Sequence, residues 1–473
     1  YVVLGDGESA EGSVWEAAHV ASYYKLDNLC ATIDVNRLGQ SQPTMDQHDL
    51  ESYRARWSAF GWNAIVVDGH DIPALLRAYE EAGETKDRPT IVLARTLKGK
   101  GIIGAENLGG HHGKAMDNTE EAVQAIEKRL NGKGGNWKPQ KPVQEKKAAG
   151  RKPDKWQEFP KAPYAEGKDV ATRKAFADAL AALGKVSERI VSLDGDVKNS
   201  TYTEEFEKEF PKRFFQMYIA EQNMVGSAMG LAAKGEIPFA ATFACFLSRA
   251  YDFLRMAAIS NSNIKLVGTH AGISIGEDGP SQMGLEDLAM TCAEPNYTVL
   301  YPSDGVSAWY AIRLAAEHNG PCYIRTSRPK TAILYKQDEP FALGKCKVLR
   351  KSEKDQVTVV GAGITVFEAL EAYEKLASEG IHIRVVDLFS VQPIDKETLT
   401  SSVRETAKRV LIVEDHYAHG GIGDAVLGAL EGEGVKARKL AVREIARSGT
   451  PEQLLDRYGI SAKHIVDGVR SLI

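Results

Sequence analysis

Cysteine is scarce, with five in 473 residues. Cys30, Cys245, Cys292, Cys322 and Cys346 are scattered, odd in number and never spaced Cys-x-x-Cys. Nothing there suggests a disulfide framework, and a reduced, cytoplasmic protein is expected. Long apolar runs are missing as well. No uninterrupted stretch approaches the thickness of a bilayer, and the amino end lacks the basic, apolar and small-residue succession of a secretory signal. A soluble chain without membrane contact is therefore expected. Positive charge is not in excess either: the net charge of −5 gives no electrostatic reason to bind nucleic acid.

What is present is core-forming material, at 43% hydrophobic residues. The length suggests about three domains. Short β-branched runs alternate with amphipathic segments rich in Ala, Leu, Glu and Lys, the pattern of α/β blocks with mainly parallel sheets and crossover helices. The blocks are expected at 1–130, 169–340 and 341–473. Between the first two, 131–168 is rich in Lys, Pro, Gly and Gln without apolar periodicity. It reads as an extended surface connector, and its basic run at Lys146-Lys147 and Arg151-Lys152 reads as a solvated strap. Gly361-Ala362-Gly363 follows a strand-like run and invites a nucleotide-site reading. A single Gly-x-Gly is weak evidence, and a structural turn is expected instead.

Two local patterns carry chemistry. Gly5-Asp6-Gly7-Glu8 follows the apolar run Tyr1-Val2-Val3-Leu4, and Asn36 follows a second strand-like run, Ala31 to Val35. A strand-end carboxylate, an amide oxygen and the backbone carbonyl of Leu38 are hard oxygen ligands suited to Mg²⁺ or Ca²⁺, with positions left for diphosphate oxygens. Glycine on either side of Asp6 lets the backbone approach a phosphate, although Gly-Asp-Gly is also a common turn. In the middle of the chain, Ala220-Glu221-Gln222-Asn223-Met224 opens a helix after the strand-like Phe215 to Ile219, and Thr242-Phe243-Ala244-Cys245-Phe246 follows. One acid beside two aromatics suits an aminopyrimidine ring. An acid in an apolar helix needs a partner, because burying an unpaired carboxylate is costly. The alternative is an acid favoured in the first turn of its helix.

Taken in order, Gly5-Asp6-Gly7, Asn36, Glu221 and Gly276-Glu277-Asp278-Gly279-Pro280-Ser281-Gln282-Met283 resemble transketolase, a thiamine-diphosphate enzyme family. Arg37-Leu38-Gly39-Gln40-Ser41, Tyr301-Pro302-Ser303-Asp304-Gly305 and Glu414-Asp415-His416-Tyr417 extend the resemblance over essentially the whole chain. It implies a diphosphate-binding domain at 1–130, a pyrimidine-binding domain at 169–340 and a carboxy-terminal α/β domain at 341–473 that packs and forms dimers. It further implies thiamine diphosphate with Mg²⁺, or Ca²⁺ in its place, held by Asp6, Asn36 and Leu38, with Gly5, Gly7, Glu8, Glu16 and Lys98 on the cofactor. Glu221 would hydrogen-bond the pyrimidine and promote formation of the thiazolium ylid. Glu11 and Glu16 would join it in a carboxylate network across a homodimer interface, and Phe243 and Phe246 would wall the pyrimidine.

For substrate, the same resemblance implies that Arg173, Ser200 and Arg328 bind the sugar phosphate, as the planar arginine fork suits phosphate oxygens. His270, Asp278 and Gln282 would line the channel, with His270 helping at the phosphate. Gln282 stands where some members have histidine, so no proton transfer falls to it. His112 would serve as diphosphate donor or as acid/base on substrate, with His111 beside it as the competing ring. The implied reaction is reversible ketol transfer from a ketose phosphate to an aldose phosphate through a dihydroxyethyl intermediate, with xylulose and ribose phosphates of the pentose phosphate pathway as first guesses. Two other readings stand beside it. Deoxyxylulose-phosphate synthase or a 2-oxoacid dehydrogenase component would share Gly-Asp-Gly and Glu221. The chain also opens directly on the strand before Asp6, whereas transketolases carry a longer amino-terminal region. A shortened form, a portion of a longer enzyme, or a non-catalytic subunit completed by a partner would each account for that.

Overall fold

β-branched and aliphatic runs buried on both faces produce parallel sheets, because helices cover each side. The computed structural model describes residues 1–115, 119–131, 138 and 152–473, in two compact units, Tyr1–Gly150 and Arg151–Ile473. The basic residues Lys146, Lys147 and Arg151 lie outside the described residues. In the first unit, β1 (Val2–Gly5), β2 (Cys30–Val35), β3 (Asn63–Asp68) and β4 (Thr90–Arg95) form a parallel sheet in the order β1-β2-β4-β3. Its core gathers Ile33, Val35, Ile91 and Leu93 with Tyr53, Trp57 and Trp62. Helices Leu50–Ala59 and Ile72–Glu84 start on Asp49 and Asp71, whose side chains accept from the backbone amides of Ser52 and Ala74.

The second unit holds two larger sheets. Its strands are β5 (Asp169–Ala171), β6 (Ile190–Asp194), β7 (Phe214–Gln216), β8 (Ile237–Phe243), β9 (Lys265–Thr269), β10 (Thr298–Leu300), β11 (Cys322–Arg325), β12 (Lys330–Ala332), β13 (Lys347–Arg350), β14 (Val357–Gly361), β15 (Ile383–Asp387), β16 (Ser390–Gln392), β17 (Arg409–Tyr417) and β18 (Lys436–Val442). One sheet runs β16-β10-β11-β9-β8-β6-β7 and the other β13-β15-β14-β17-β18. Only β16 and β13 are antiparallel to their neighbours in these two sheets, and β5 pairs with β12 in a small antiparallel ribbon. The expected α/β architecture with mainly parallel sheets is what the chain adopts.

Two local readings need correction, and one pairing was not anticipated. Residues 152–168 are not a purely surface connector: Phe159, Ala162 and Tyr164 are buried in the core of the β6–β11 sheet. Phe159 packs 5.1 Å from Trp309, ring centre to ring centre, and the Trp309 indole donates to Pro160 O. Three anchoring residues are too sparse to register as a period. Lys152 does remain solvated, pairing with Glu188 at the surface. The strand expected over 215–219 ends at Gln216, and Tyr218 then turns in the left-handed region at φ 56°. Finally β16, from the carboxy-terminal third, joins the middle sheet through β10, so the last two blocks interlock.

Gly361-Ala362-Gly363 behaves as the structural turn expected. It lies between β14 and the helix Ile364–Ser378, where strand order reverses and open α/β sheets often bind nucleotides. Here a Cβ on Gly363, at φ 57°, would overlap the Tyr301 ring. The aromatic ring fills the crevice.

Asp387 ends β15 fully buried, accepting from Tyr335 Oη at 2.6 Å and Ser303 Oγ at 2.9 Å. Burial outweighs those hydrogen bonds and pushes its pKa up to about 7. The folded state then keeps a proton that the unfolded chain releases near an ordinary aspartate pKa of about 3.9. Between those values the folded state binds more protons, so stability falls as pH rises. Urea unfolding at stepped pH should show roughly 1–3 kcal/mol lost from pH 4 to pH 7 through this group, a slope that Asp387→Asn removes.

Candidate functional site

In the first unit, β1 ends at Gly5 and its carbonyl-end turn buries Asp6 to 4% exposure. Asp6 N donates to Asp34 O, and the carboxylate accepts from Gly7 N at 2.9 Å, Arg37 N at 2.6 Å and Thr44 Oγ1 at 3.2 Å. Arg37 reaches this bond in the left-handed region, φ 65°. Asn36, at the end of β2, donates through Nδ2 to Asp34 Oδ2 and accepts Leu38 N on Oδ1 at 3.1 Å. Asp6, Asn36 and Leu38 are all buried on one adjoining pair of strand ends. Lys98 Nζ lies 3.5 Å from Leu38 O and 2.9 Å from His112 Nδ1. Between the two adjacent histidines, His112 is the ring that pairs with Lys98.

Neighbouring candidates are less concentrated. The Glu8 carboxylate accepts from Gly5 N at 2.6 Å, closing its own turn. Gly5 and Gly7 take ordinary backbone angles, and a Cβ at either would make only van der Waals contact. Their value is the open space above them. Glu11 is exposed beside the helix Gly12–Tyr23 and accepts from Ser13 Oγ. Glu16 lies on that helix, half-buried. Among the described residues no group of three His, Cys, Asp or Glu side chains forms a metal cage. A hard cation at Asp6 and Asn36 would complete its shell from backbone carbonyl and ligand oxygens.

In the second unit, β8 and β9 deliver the aromatic and basic residues to one edge. Phe243, the last residue of β8, stacks on Phe246 at 5.2 Å and 5° and on His270 at 3.8 Å. His270 follows β9 at φ 57°, buried, its Nδ1 bonded to Thr269 Oγ1 at 2.8 Å. Burial first, then the nearby Arg173 and Arg328, push its pKa down to about 3. Arg173, in the first turn of Thr172–Val186, donates through Nη1 to the Ser200 carbonyl and lies 4.9 Å over the Tyr202 ring. Its Nε is buried with no partner. Arg328 donates to Ile275 O at 2.8 Å and pairs with Asp278 at 3.2 Å. Gln282 follows on the same loop, its amide bonded to Gly279 O. Glu221 opens the helix Glu221–Ala233, buried to 6% exposure. It sits in the first turn without capping a backbone amide, since Ala220 is the residue before it and no side-chain cap forms.

Three family models cover this geometry. The chain matches "Transketolase, thiamine diphosphate binding domain" over residues 1–164, "Transketolase, pyrimidine binding domain" over 168–332 and "Transketolase, C-terminal domain" over 344–465. It belongs to the transketolase family. It is 50% identical to the transketolase of Homo sapiens over 480 residues, covering all of this chain and 76% of that protein. It is 49% identical to transketolase-like protein 2 of Mus musculus over 477 residues, again 100% of this chain and 76% of the other. A solved transketolase of Campylobacter jejuni shares the fold with a TM-score of 0.80 at 22% identity, over 99% of this chain and 76% of that one.

Within this transketolase-family fold, sequence reasoning missed residues that act through others. Thr44 and Asp34 hold Asp6 and Asn36, and Thr96 bonds Asp34 in turn. Thr269 fixes the His270 ring and Tyr202 lies under Arg173. Only the polar type of Thr44 and Asp34 next to the motif could have hinted at them. The second-unit residues fit an anion: two guanidiniums, one with a buried unpartnered N–H, beside a neutral imidazole. ¹⁵N NMR of the histidines should find His270 uncharged from pH 5 to pH 8. Arg328→Ala, which removes one positive neighbour, should raise its pKa by about one unit.

Proposed function

We propose that this chain is a working transketolase, moving a two-carbon ketol group from a ketose phosphate to an aldose phosphate with thiamine diphosphate and Mg²⁺. The observation that carries the reading is the convergence of Arg173, Arg328 and neutral His270 next to the Phe243–Phe246 stack. An anion clamp adjoins an aromatic wall, and both ends of a phosphorylated sugar bound against a planar cofactor are provided for. Ca²⁺ can replace Mg²⁺ at the same oxygen ligands.

Each residue has a task in that reading. Asp6, Asn36 and the Leu38 carbonyl hold the metal, and Lys98 with His112 faces the diphosphate. Gly5, Gly7 and Glu8 shape the turn, and Glu16 lies on the next helix. Glu221 holds a proton at the pyrimidine nitrogen, with Glu11 and Glu16 in support. Phe243 and Phe246 wall the pyrimidine. Arg173, Arg328 and Ser200 take the sugar phosphate, while Asp278 and Gln282 meet hydroxyls near the reacting carbon. Bound thiamine diphosphate supplies the electron sink that cleaving a C–C bond beside a carbonyl requires. The protein's share is orientation and charge. We take the working form to be a cytoplasmic homodimer. Tyr218 and Ile219, just before Glu221 in the chain, are exposed apolar residues for a second copy to cover.

A second reading stands beside it: a transketolase-like subunit that keeps the fold but has lost cofactor affinity and is completed by a partner. Two variants separate the readings. Glu221→Ala should lower turnover roughly 10²–10⁴-fold, the usual worth of a positioned proton partner, with a modest change in cofactor affinity by calorimetry. Asp6→Ala should abolish metal-dependent cofactor binding itself, and chelation of the metal should do the same to the parent. A parent that turns nothing over and shows no saturable cofactor binding would select the second reading.

A further inference from the structure

Asp415 belongs to none of these tasks, although Glu-Asp-His-Tyr is one of the family-like segments. It sits in β17 where strand pairing with β18 shifts register between Val413 and Tyr417. At 1% exposure its side chain points away from its own sheet, into the loop that follows β9. Asp415 Oδ1 accepts from Ile273 N at 2.8 Å. Gly272, at φ 81°, makes room for it: a Cβ there would overlap the carboxylate. Oδ2 is buried without a partner. Arg325 then locks the backbone on both sides, its Nη2 donating to Asp415 O at 2.9 Å and to Gly284 O at 2.8 Å. Gly284 O in turn accepts Gly272 N.

The far end of the same loop is tied elsewhere. Arg328 holds Ile275 O and Asp278, and Gly276 and Gly279 pack against the backbone of Gly449 and the Ser448 side chain. The loop that runs from His270 to Gln282 is therefore fixed at its start by one buried carboxylate from the carboxy-terminal sheet.

We infer that Asp415 is a positioning residue: through the Ile273 amide and its close fit against Gly272 it sets the loop that presents His270, Asp278 and Gln282 to the sugar phosphate. The consequence for substrate rests on the reading of those three residues as substrate-facing, whereas the loop geometry does not. A buried acceptor oxygen ties the amide that donates to it, and an asparagine keeps one acceptor oxygen in the same place.

Hydrogen exchange and kinetics on the whole protein test it. Asp415→Ala should speed exchange of the Ile273 amide by about tenfold or more, the worth of that one bond, relative to β14 amides. Asp415→Asn should restore it to within about threefold. For a phosphorylated ketose donor, KM should rise in the Ala variant while kcat and cofactor affinity stay near parent values, and Asn should again rescue. Should Asp415→Ala fail to fold, Gly272→Ala strains the same joint from the loop side and should give the same exchange and KM pattern. Loop exchange that stays at the parent rate, or that rises only in step with β14, would overturn the inference. Exchange that responds in a protein with no ketol-transfer activity would leave the positioning role standing and remove the proposed function.

Discussion

Arg325 is the interaction on which the carboxy-terminal two-thirds of the molecule depends. At the end of β11 it is 0% exposed, its Nε bonded to Asp287 at 2.8 Å, its guanidinium 4.5 Å over Tyr301. Tyr323 Oη donates to the same Asp287 oxygen. A buried ion pair is costly to desolvate and often contributes little net stability, but removing one partner leaves a charge stranded, at a cost of about 3–5 kcal/mol. Such a pair fixes geometry. Arg325 binds the backbone of Gly284 and Asp415 at once, so the middle sheet, the loop from His270 to Gln282 and β17 share one orientation. Tyr301, beneath the guanidinium, also fills the crevice at Gly363.

Around that hub the polar groups are held in unlike protonation states by unlike surroundings. His270 lies between a phenylalanine ring and two arginines and stays neutral. His416 is pushed down to about 4, by burial above all. Glu414 is pushed up to about 7 by burial, which the amide of Gly423 and the charge of Lys439 offset only in part. An uncharged imidazole leaves the two arginines as the fixed positive charges near it at neutral pH. That suits a site for a dianion of fixed charge.

The sequence made legible whatever depends on near neighbours in the chain. Parallel strands announce themselves as short aliphatic runs, and Asp6 and Asn36 stand at the ends of two such runs, so their place at neighbouring strand ends could be read before any fold was known. The aromatic pair at Phe243 and Phe246 was legible as spacing, its stack with His270 was not. What escaped are the pairings between distant segments. Asp415 meets Ile273 across 142 positions, β16 adds itself to a sheet begun far upstream, and Phe159 anchors a stretch whose composition reads as linker. Composition carries no record of such partners. The contact of Lys98 with His112, the ring the resemblance pointed to, was likewise not legible.

The most direct test of the account is product analysis with the chain as the only protein, given xylulose 5-phosphate, ribose 5-phosphate, thiamine diphosphate and Mg²⁺. Ketol transfer predicts a seven-carbon ketose phosphate and a three-carbon aldehyde phosphate in equal amounts, dependent on both cofactor and metal. Saturated cofactor with neither product formed would contradict it.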